Sequence, residues 1–496
     1  MSKKAVNVIL LTISQGVNVV LLFLFTPYLV RALEKSLYGS YLQVVLIADV
    51  ISIITSIAVV QIAMMLFSNL QKNIENSLKT VIVFTLTGGL IGALLCVAFS
   101  YIAPHIFDND YSLFGHFIRI FAISIIGNKL NQVLNQAMIK VGKTKFLMVL
   151  SIVTNFSKLL LALIAIKYYQ SVTLLLLIYA LEPIVSSLCQ LFVLHKMNML
   201  SGKYDATLVK EIFSVGLPLY IVELLGNSYN YIAGFVISIY FNAEQYAIYR
   251  NGSIELPIIG VMYVTISTIF MADMSINIQL KNFEVIAAMK KKIITTTAIV
   301  LFPVAIFFIF YSKEFILLYM SEKYVDSYKV FIIFSLALLI RFQNYTDVLI
   351  LLKKSKYVLI SFLVFILLNI SLTILLSKYF GILGCAIATI FSVYVLAYMQ
   401  LHIVIKQLKV SYLDYIDVPA LIKILLISFG VIGVSKILFY YVHLPILYTF
   451  ILAGITTLPL LMIYFVKNKY IEIHLYKSIF DKIPIFGTKI YKLLSR

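Results

Sequence analysis

The chain has 496 residues, of which 62% are hydrophobic and only 12% are charged. Soluble domains carry about 25% charged residues, so a water-soluble fold could not hide this much apolar surface. Lys and Arg outnumber Asp and Glu by 40 to 21, which gives a formal charge of +19. On a soluble protein this excess would suggest nucleic-acid binding, but in a membrane protein topology explains most of it. The composition therefore excludes a soluble domain and predicts an integral membrane protein without a nucleic-acid partner.

Six long apolar runs make up the first part of the chain. A run of about 20 apolar residues can cross a hydrocarbon core of about 30 Å. The first run is longer than the apolar core of a signal peptide and many others follow it, so we predict that it is a membrane span. The six predicted spans lie near residues 5–30, 41–67, 80–104, 116–138, 146–168 and 171–195.

Eight further apolar runs follow, and the last two stand apart as a pair. They lie near residues 211–240, 247–273, 292–312, 327–352, 357–377, 382–405, 420–441 and 445–466. We therefore predict an all-α integral membrane protein of about fourteen transmembrane helices. Its predicted organisation is a six-helix lobe over residues 1–206, a second six-helix lobe over 207–410, and an additional helix pair with a basic tail over 411–496.

Basic residues concentrate in alternate loops and in the two tails. Because basic loops stay in the cytoplasm, this bias places the N- and C-termini on the cytoplasmic side of a plasma membrane. The predicted cytoplasmic loops carry Lys140, Lys143, Lys145, Lys290 to Lys292, Lys353, Lys354 and Lys356.

Similar segments recur about 210 residues apart. The segment 142–146 (GKTKF) falls on 353–357 (KKSKY), and 38–41 (YGSY) falls on 246–249 (YAIY). Because each repeat holds an even number of spans, both lobes should have the same orientation, related by an axis along the membrane normal. A cleft between such lobes is the natural place for a cargo.

Polar residues inside the predicted spans are the best functional candidates, because a charge at the bilayer centre costs at least about 2.5 to 3.5 kcal/mol. Span 4 has a polar stripe that includes Lys129, Asn131 and Gln132, and span 10 has Arg341, Asn344 and Asp347 at similar depth. The repeat puts Lys129 and Arg341 in corresponding places, as two cations flanking a central cleft.

Other spans add a second set of polar candidates. Span 7 carries Glu223, Asn227 and Asn230 on one helical face. Glu182 and Glu255 precede prolines, a pattern that suits a moving gate. The remaining cations are Lys158, near the middle of span 5, and Arg31, Arg119 and Arg250, near span ends.

Each cation has a structural alternative. The three arginines near span ends could snorkel to the interface. Lys129, Lys158 and Arg341 could form buried ion pairs, for example with Glu182, Glu223 or Asp347. Cysteine and histidine spacing shows no metal-ligand or catalytic pattern, and 142–144 (GKT) lacks the first glycine of a phosphate-binding loop. We predict no metal, no cofactor and no enzymatic activity.

Four motifs resemble the polysaccharide (O-antigen) flippase family of the multidrug/oligosaccharidyl-lipid/polysaccharide exporter superfamily. They are 26–33 (TPYLVRAL), 38–41 (YGSY), 141–145 (VGKTK) and 216–219 (GLPL). The resemblance implies a MATE-like fold of two pseudo-symmetric lobes. It also implies alternating-access export of undecaprenyl-diphosphate-linked oligosaccharide repeat units across a bacterial inner membrane, for surface polysaccharides such as lipopolysaccharide.

The resemblance also gives roles to the candidate residues. Lys129, Arg341, Lys158 and Arg31 would attract the diphosphate, with Arg119 and Arg250 as further cations. The amides of Asn131, Gln132, Asn227, Asn230 and Asn344 would bind sugar hydroxyls. Glu223 or Asp347 would couple transport to an ion gradient, and Glu182 and Glu255 would serve gating. Membrane lipid, a polysaccharide polymerase and the chain-length machinery are the implied partners.

Two other functions stay open at this point. An ion-coupled multidrug exporter would use Asp49, Glu182, Glu223 and Glu255 to bind organic cations. A membrane glycosyltransferase or polymerase would need a large outer loop with clustered catalytic residues, and the predicted loops are all short.

Overall fold

The computed structural model describes residues 3–55, 59–68, 74–107, 111–254, 271, 273–341 and 345–468. Within these ranges the chain is helical and has no β-strand. Ten of the described helices are long and apolar enough to cross a membrane. The predicted all-α membrane class is therefore confirmed, whereas the total of fourteen spans stays a prediction.

Two compact units divide the chain, residues 1–248 and 249–496. The first unit contains α1 to α10, and α10 packs on α2, α3 and α4. The helices are α1 (Lys3–Ala32), α2 (Lys35–Ile54), α3 (Val59–Ser68), α4 (Ile74–Phe99), α5 (Ala103–Ile106), α6 (Tyr111–Phe121), α7 (Ile123–Lys140), α8 (Thr144–Tyr169), α9 (Val172–Lys196) and α10 (Ala206–Tyr240). This division reflects which residues pack together, and it does not test the lobe boundary at 206/207 that the repeat suggested. That boundary stays a prediction.

Local chemistry explains several of these helix ends. The Ser171 hydroxyl accepts a hydrogen bond from Leu174 N at 3.2 Å and starts α9, and Asp205 accepts one from Thr207 N at 2.9 Å and starts α10. Such side chains satisfy amides that have no partner inside the helix. Gln170 ends α8 in the left-handed region, with a φ of 47°. The sequence predicted the ends of α8 and α9 within two residues, whereas α10 begins at Ala206 rather than at the predicted 211.

The core of the first unit lies around α7, which packs against α3, α4 and α9. Buried side chains from these helices include Ile62, Leu78, Leu134 and Leu194. Lipid offers no hydrophobic drive for this association, so close packing and interhelical hydrogen bonds hold the helices together. The core therefore fixes which side of α7 faces its neighbours.

The predicted second span is two helices. We predicted one span over 41–67, but α2 ends at Ile54 and α3 begins at Val59. Neither Pro nor Gly occurs between Thr55 and Val59, so the local sequence does not predict that α2 ends here. The interruption leaves the last carbonyls of α2 in need of partners.

The second unit is built around one long helix, α12, which packs against α14, α18 and α19. Its aromatic core includes Phe307, Phe308 and Phe315. The helices that begin after α10 are α11 (Ala243–Gly252), α12 (Phe283–Phe310), α13 (Ser312–Tyr319), α14 (Ser327–Leu336), α15 (Asp347–Leu351), α16 (Ser355–Leu408), α17 (Tyr412–Tyr415), α18 (Val418–Val442) and α19 (Ile446–Lys467).

Helix α16 is bent at Gly381, where φ is 58° and ψ is −140°. Only glycine adopts this conformation readily. The arms before and after the bend lie beside each other, as the hydrogen bond from Gln400 Nε2 to Ser361 Oγ at 3.0 Å shows. The two arms correspond to the spans predicted at 357–377 and 382–405.

The predicted tenth span is also interrupted. It was expected over 327–352, but α14 ends at Leu336 and α15 begins only at Asp347. The hydroxyls of two tyrosines donate hydrogen bonds to carbonyls at this interruption. Tyr394 OH donates to Leu336 O at 2.8 Å, and Tyr345 OH donates to Ile340 O at 2.9 Å. Irregular backbone at membrane depth is tolerated where protein groups satisfy it in this way.

Candidate functional site

Lys129 is the most unusual charged residue of the first unit. Its side chain lies on α7 and is only 4% exposed. The Nζ atom donates to Thr55 Oγ1 at 2.6 Å and to Gly88 O at 3.4 Å. Among the described residues it has no carboxylate partner. A buried ammonium without a counter-ion is costly, so this position needs a compensating interaction.

The end of α2 supplies part of that compensation. Thr55 is the residue that ends α2, and it holds the Lys129 ammonium at the carboxyl end of the helix. The partial negative charge at a helix C-terminus stabilises a nearby cation, by up to about 2 kcal/mol in partly buried settings. This stabilisation is smaller than that of a full carboxylate, so the charge of Lys129 is only partly compensated by its described neighbours.

The polar stripe of α7 points in three directions. Asn131 faces α9, where its Oδ1 accepts hydrogen bonds from Gln190 Nε2 at 2.6 Å and Ser186 Oγ at 3.1 Å. Lys129 faces α2 and α4, and Gln132 is exposed. The stripe that the sequence treated as one surface therefore separates into an interhelical network, a buried cation and an exposed amide.

Lys158 forms an ion pair with Glu182. Nζ lies 3.2 Å from Glu182 Oε2, and the two side chains are 16% and 15% exposed. The ammonium also lies over the ring of Tyr179, 5.3 Å from its centroid. This is one of the ion pairs that the sequence left open as an alternative. In this conformation the two charges neutralise each other.

A charge swap separates a structural role of this pair from a role in transport. Glu182→Gln alone should cost between the roughly 1 kcal/mol of an exposed pair and the roughly 3 kcal/mol of a buried one. The double variant Lys158→Glu with Glu182→Lys should restore thermal stability, measured as the unfolding midpoint in detergent. If Lys158 also contacts cargo, the swap restores stability but not transport. Full recovery of both would assign the pair to structure alone.

Asp347 forms the most deeply buried ion pair of the described residues, with Lys290 of α12. Both side chains are 2% exposed, and Asp347 Oδ1 also accepts a hydrogen bond from Val348 N at 2.6 Å. The sequence placed Lys290 in a cytoplasmic loop. It is instead two turns inside α12, because the helix begins at Phe283 rather than near residue 292. The apolar residues that precede Lys290 are the sequence signal that could have predicted its position inside a helix.

The remaining candidate cations are more accessible to solvent than Lys129. Arg31, Arg119 and Arg250 are exposed, and the Arg119 guanidinium lies 5.4 Å from the centroid of the Tyr101 ring. Arg341 is partly buried and lies within the interruption between α14 and α15. Because Lys129 and Arg341 belong to different compact units, their action on one cargo stays a prediction.

Several candidates fall outside what the structure describes. Asn344 and Glu255 lie outside the described residues. Glu223, Asn227 and Asn230 lie on the described backbone of α10, but their side chains are outside the description. Their proposed roles stay predictions. Among the residues that are described, no three His, Cys, Asp or Glu side chains are grouped as a metal site would require.

The fold is that of known membrane exporters. The lipid II flippase MurJ in an inward closed conformation matches with a TM-score of 0.69 at 16% identity, covering 94% of this chain and 99% of that one. An inward-facing multidrug resistance transporter of the MATE family and MOP superfamily matches at 0.63 and 13% identity, covering 81% and 98%. A MOP superfamily transporter from Pyrococcus furiosus matches at 0.54 and 14% identity, covering 81% and 95%.

The sequence family is narrower than this fold. The family model of polysaccharide biosynthesis proteins matches residues 28–329, which is more than half of the chain. The chain therefore belongs to the polysaccharide biosynthesis protein family. No curated protein sequence matches it significantly. The resemblance stated from the four motifs is confirmed at the level of family and fold.

Proposed function

We propose that this protein is a flippase that moves undecaprenyl-diphosphate-linked oligosaccharide repeat units from the cytoplasmic to the outer leaflet of a bacterial inner membrane. It would act by alternating access, with both termini cytoplasmic and without enzymatic chemistry. A polymerase and the chain-length machinery would then use the units to build surface polysaccharide such as O-antigen. The family match supports polysaccharide biosynthesis, and the fold supports transport.

Lys129 is the observation on which the proposal depends. Its ammonium is buried in the first unit and has only neutral acceptors among the described residues. A diphosphate is the polar group of the cargo that most needs a cation in the membrane, and ammonium groups bind phosphates through short charge-assisted hydrogen bonds. Lys129 would thus replace part of the favourable interaction with water that the diphosphate loses when it enters the membrane.

The test is Lys129→Met, which keeps the length of the side chain and removes the charge. One charge-assisted hydrogen bond is worth about 1.5 to 3 kcal/mol, so apparent affinity for the lipid-linked cargo should fall about tenfold to hundredfold. Flipping can be measured in proteoliposomes containing undecaprenyl-diphosphate-linked sugar, and surface polysaccharide can be measured in cells. Lys129→Arg should retain part of the activity.

Lys167 provides a matched control. It is an exposed lysine near the end of α8 whose ammonium lies over the Tyr168 ring. Lys167→Met should leave flipping unchanged. Unaltered flipping by Lys129→Met, at a protein level equal to that of the control, would remove the basis of the proposal.

A multidrug exporter is the second candidate, because the MATE fold is shared. That function would need carboxylates free to bind organic cations. Glu182, one of the four acids assigned to it, is already paired with Lys158. Export of a fluorescent organic cation by the reconstituted protein, with no flipping of lipid-linked sugar, would favour this candidate.

A further inference from the structure

Three side chains from different parts of the first unit converge on the broken end of α2. Lys129 of α7 donates to Thr55 Oγ1 at 2.6 Å, and Thr55 Oγ1 donates to Ile51 O at 2.8 Å. Tyr220 of α10 donates to Ile54 O at 2.8 Å. The hydroxyl of Thr55 therefore forms a relay between the ammonium of Lys129 and the last turn of α2.

These hydrogen bonds involve the carbonyl groups at the end of α2. A helix that ends inside a membrane leaves its last four carbonyls without helical partners, and each unsatisfied group there is costly. Tyr220 satisfies one of these carbonyls, Ile54 O, and the Thr55 hydroxyl adds a second donor to Ile51 O, which also accepts from Thr55 N at 3.0 Å. The Lys129 charge stabilises the negative end of the helix. The end of α2 is thus held by groups that α7 and α10 provide.

Close packing by α4 fixes the position of Thr55. Gly88 offers its carbonyl to Lys129 at 3.4 Å. At Gly92, a Cβ atom would lie only 2.6 Å from Thr55 Oγ1. The hydroxyl therefore has little freedom to move, and its geometry determines where the ammonium of Lys129 lies.

We propose that Thr55 and Tyr220 are positioning residues and that the cargo diphosphate competes with the end of α2 for Lys129. When the diphosphate takes the ammonium, α2 loses part of its C-terminal cap and its last turn loosens. Cargo binding is thereby linked to the junction between α2 and α3. This inference rests on the proposed function, since it assigns the anion to the same lysine.

Hydrogen exchange at the last turn of α2 tests the link. The probe is undecaprenyl diphosphate added to the full-length protein in nanodiscs, with exchange of the amides of residues 51–55 measured by mass spectrometry. In the wild type the probe should accelerate exchange about 5- to 30-fold, the change expected when one buried hydrogen bond is lost. In Lys129→Met exchange should be fast with or without the probe.

Variants at Thr55 separate positioning from general packing. Thr55→Val should give fast exchange without the probe and tighter probe binding, because Lys129 loses the hydroxyl that competes with the diphosphate. Thr55→Ser keeps the hydroxyl and should behave as the wild type. Tyr220→Phe should also accelerate exchange. Thr85→Val is the control, because the buried Thr85 hydroxyl donates to Val81 O of its own helix at 2.7 Å and has no other hydrogen bond to the described residues. It should leave exchange at residues 51–55 unchanged.

Two results would overturn the inference in distinguishable ways. Probe binding, seen as a raised unfolding midpoint, with no change in exchange at residues 51–55 would refute the link and leave the proposed flippase function standing. Absence of any probe binding, in a sample with a wild-type unfolding midpoint, would refute both.

Discussion

Asp347→Ala is expected to lower the free energy of unfolding by about 3 to 5 kcal/mol, because it removes the carboxylate that neutralises Lys290 at 2% exposure. The pair joins α12 to α15 beside the interruption of the tenth span, so its loss also removes a link between these two helices. The chain has no tryptophan, but Cys96 and Cys385 are buried. Their reaction with a thiol-reactive dye during heating therefore reports unfolding in detergent.

Two further variants make this expectation specific to the buried charge. Lys290→Met combined with Asp347→Leu replaces both charges by apolar groups and should recover much of the lost stability. Asp326→Ala breaks the exposed pair with Lys329, whose side chains are 62% and 49% exposed, and should cost less than about 1 kcal/mol. Equal losses for Asp347→Ala and Asp326→Ala would show that burial does not control the strength of the pair.

Gly39→Ala is expected to destabilise the first unit by about 1 to 3 kcal/mol or more, the usual range for overpacking. Gly39 lies near the start of α2 against the backbone at the start of α11, and a Cβ atom there would be 2.0 Å from Ala243 O. Since the neighbour is backbone rather than a flexible side chain, it cannot move aside without shifting α11. The same dye assay measures the loss, and flipping should fall with it.

Gly16→Ala is the matched control on a neighbouring helix. No atom lies within 4 Å of a Cβ placed at Gly16, so alanine should gain up to about 1 kcal/mol from its higher helix propensity. A stability change of the same sign in both variants would contradict the packing argument at Gly39.

Hydrophobic run length predicted several uninterrupted spans closely, but it placed the start of the ninth span at 292 rather than at Phe283. The fifth span was predicted at 146–168 and is α8, Thr144–Tyr169; the thirteenth was predicted at 420–441 and is α18, Val418–Val442. Run length failed at the second and tenth spans, where helices break without Pro or Gly. In both places tyrosines distant in sequence, Tyr220 and Tyr394, satisfy the carbonyls that the break releases. Such partners become known only when the helices are packed.

The charged candidates were predictable for a different reason. A mid-span Lys or Asp is expensive in lipid, and Lys129, Lys158 and Asp347 were all singled out on that basis. Sequence did not tell which neighbours they have. Lys158 is paired with Glu182, Asp347 with Lys290, and Lys129 with a hydroxyl and a carbonyl.

By itself, the sequence determined that this is a helical membrane protein, where most spans lie, and which side chains are too polar to face lipid. These properties follow from the local cost of moving each residue out of water, which depends on its chemistry and its neighbours along the chain. Only the tertiary structure decided which spans are broken and which cations are neutralised. Those outcomes depend on distances between helices, because a carbonyl or an ammonium is satisfied by whichever group packing brings to it.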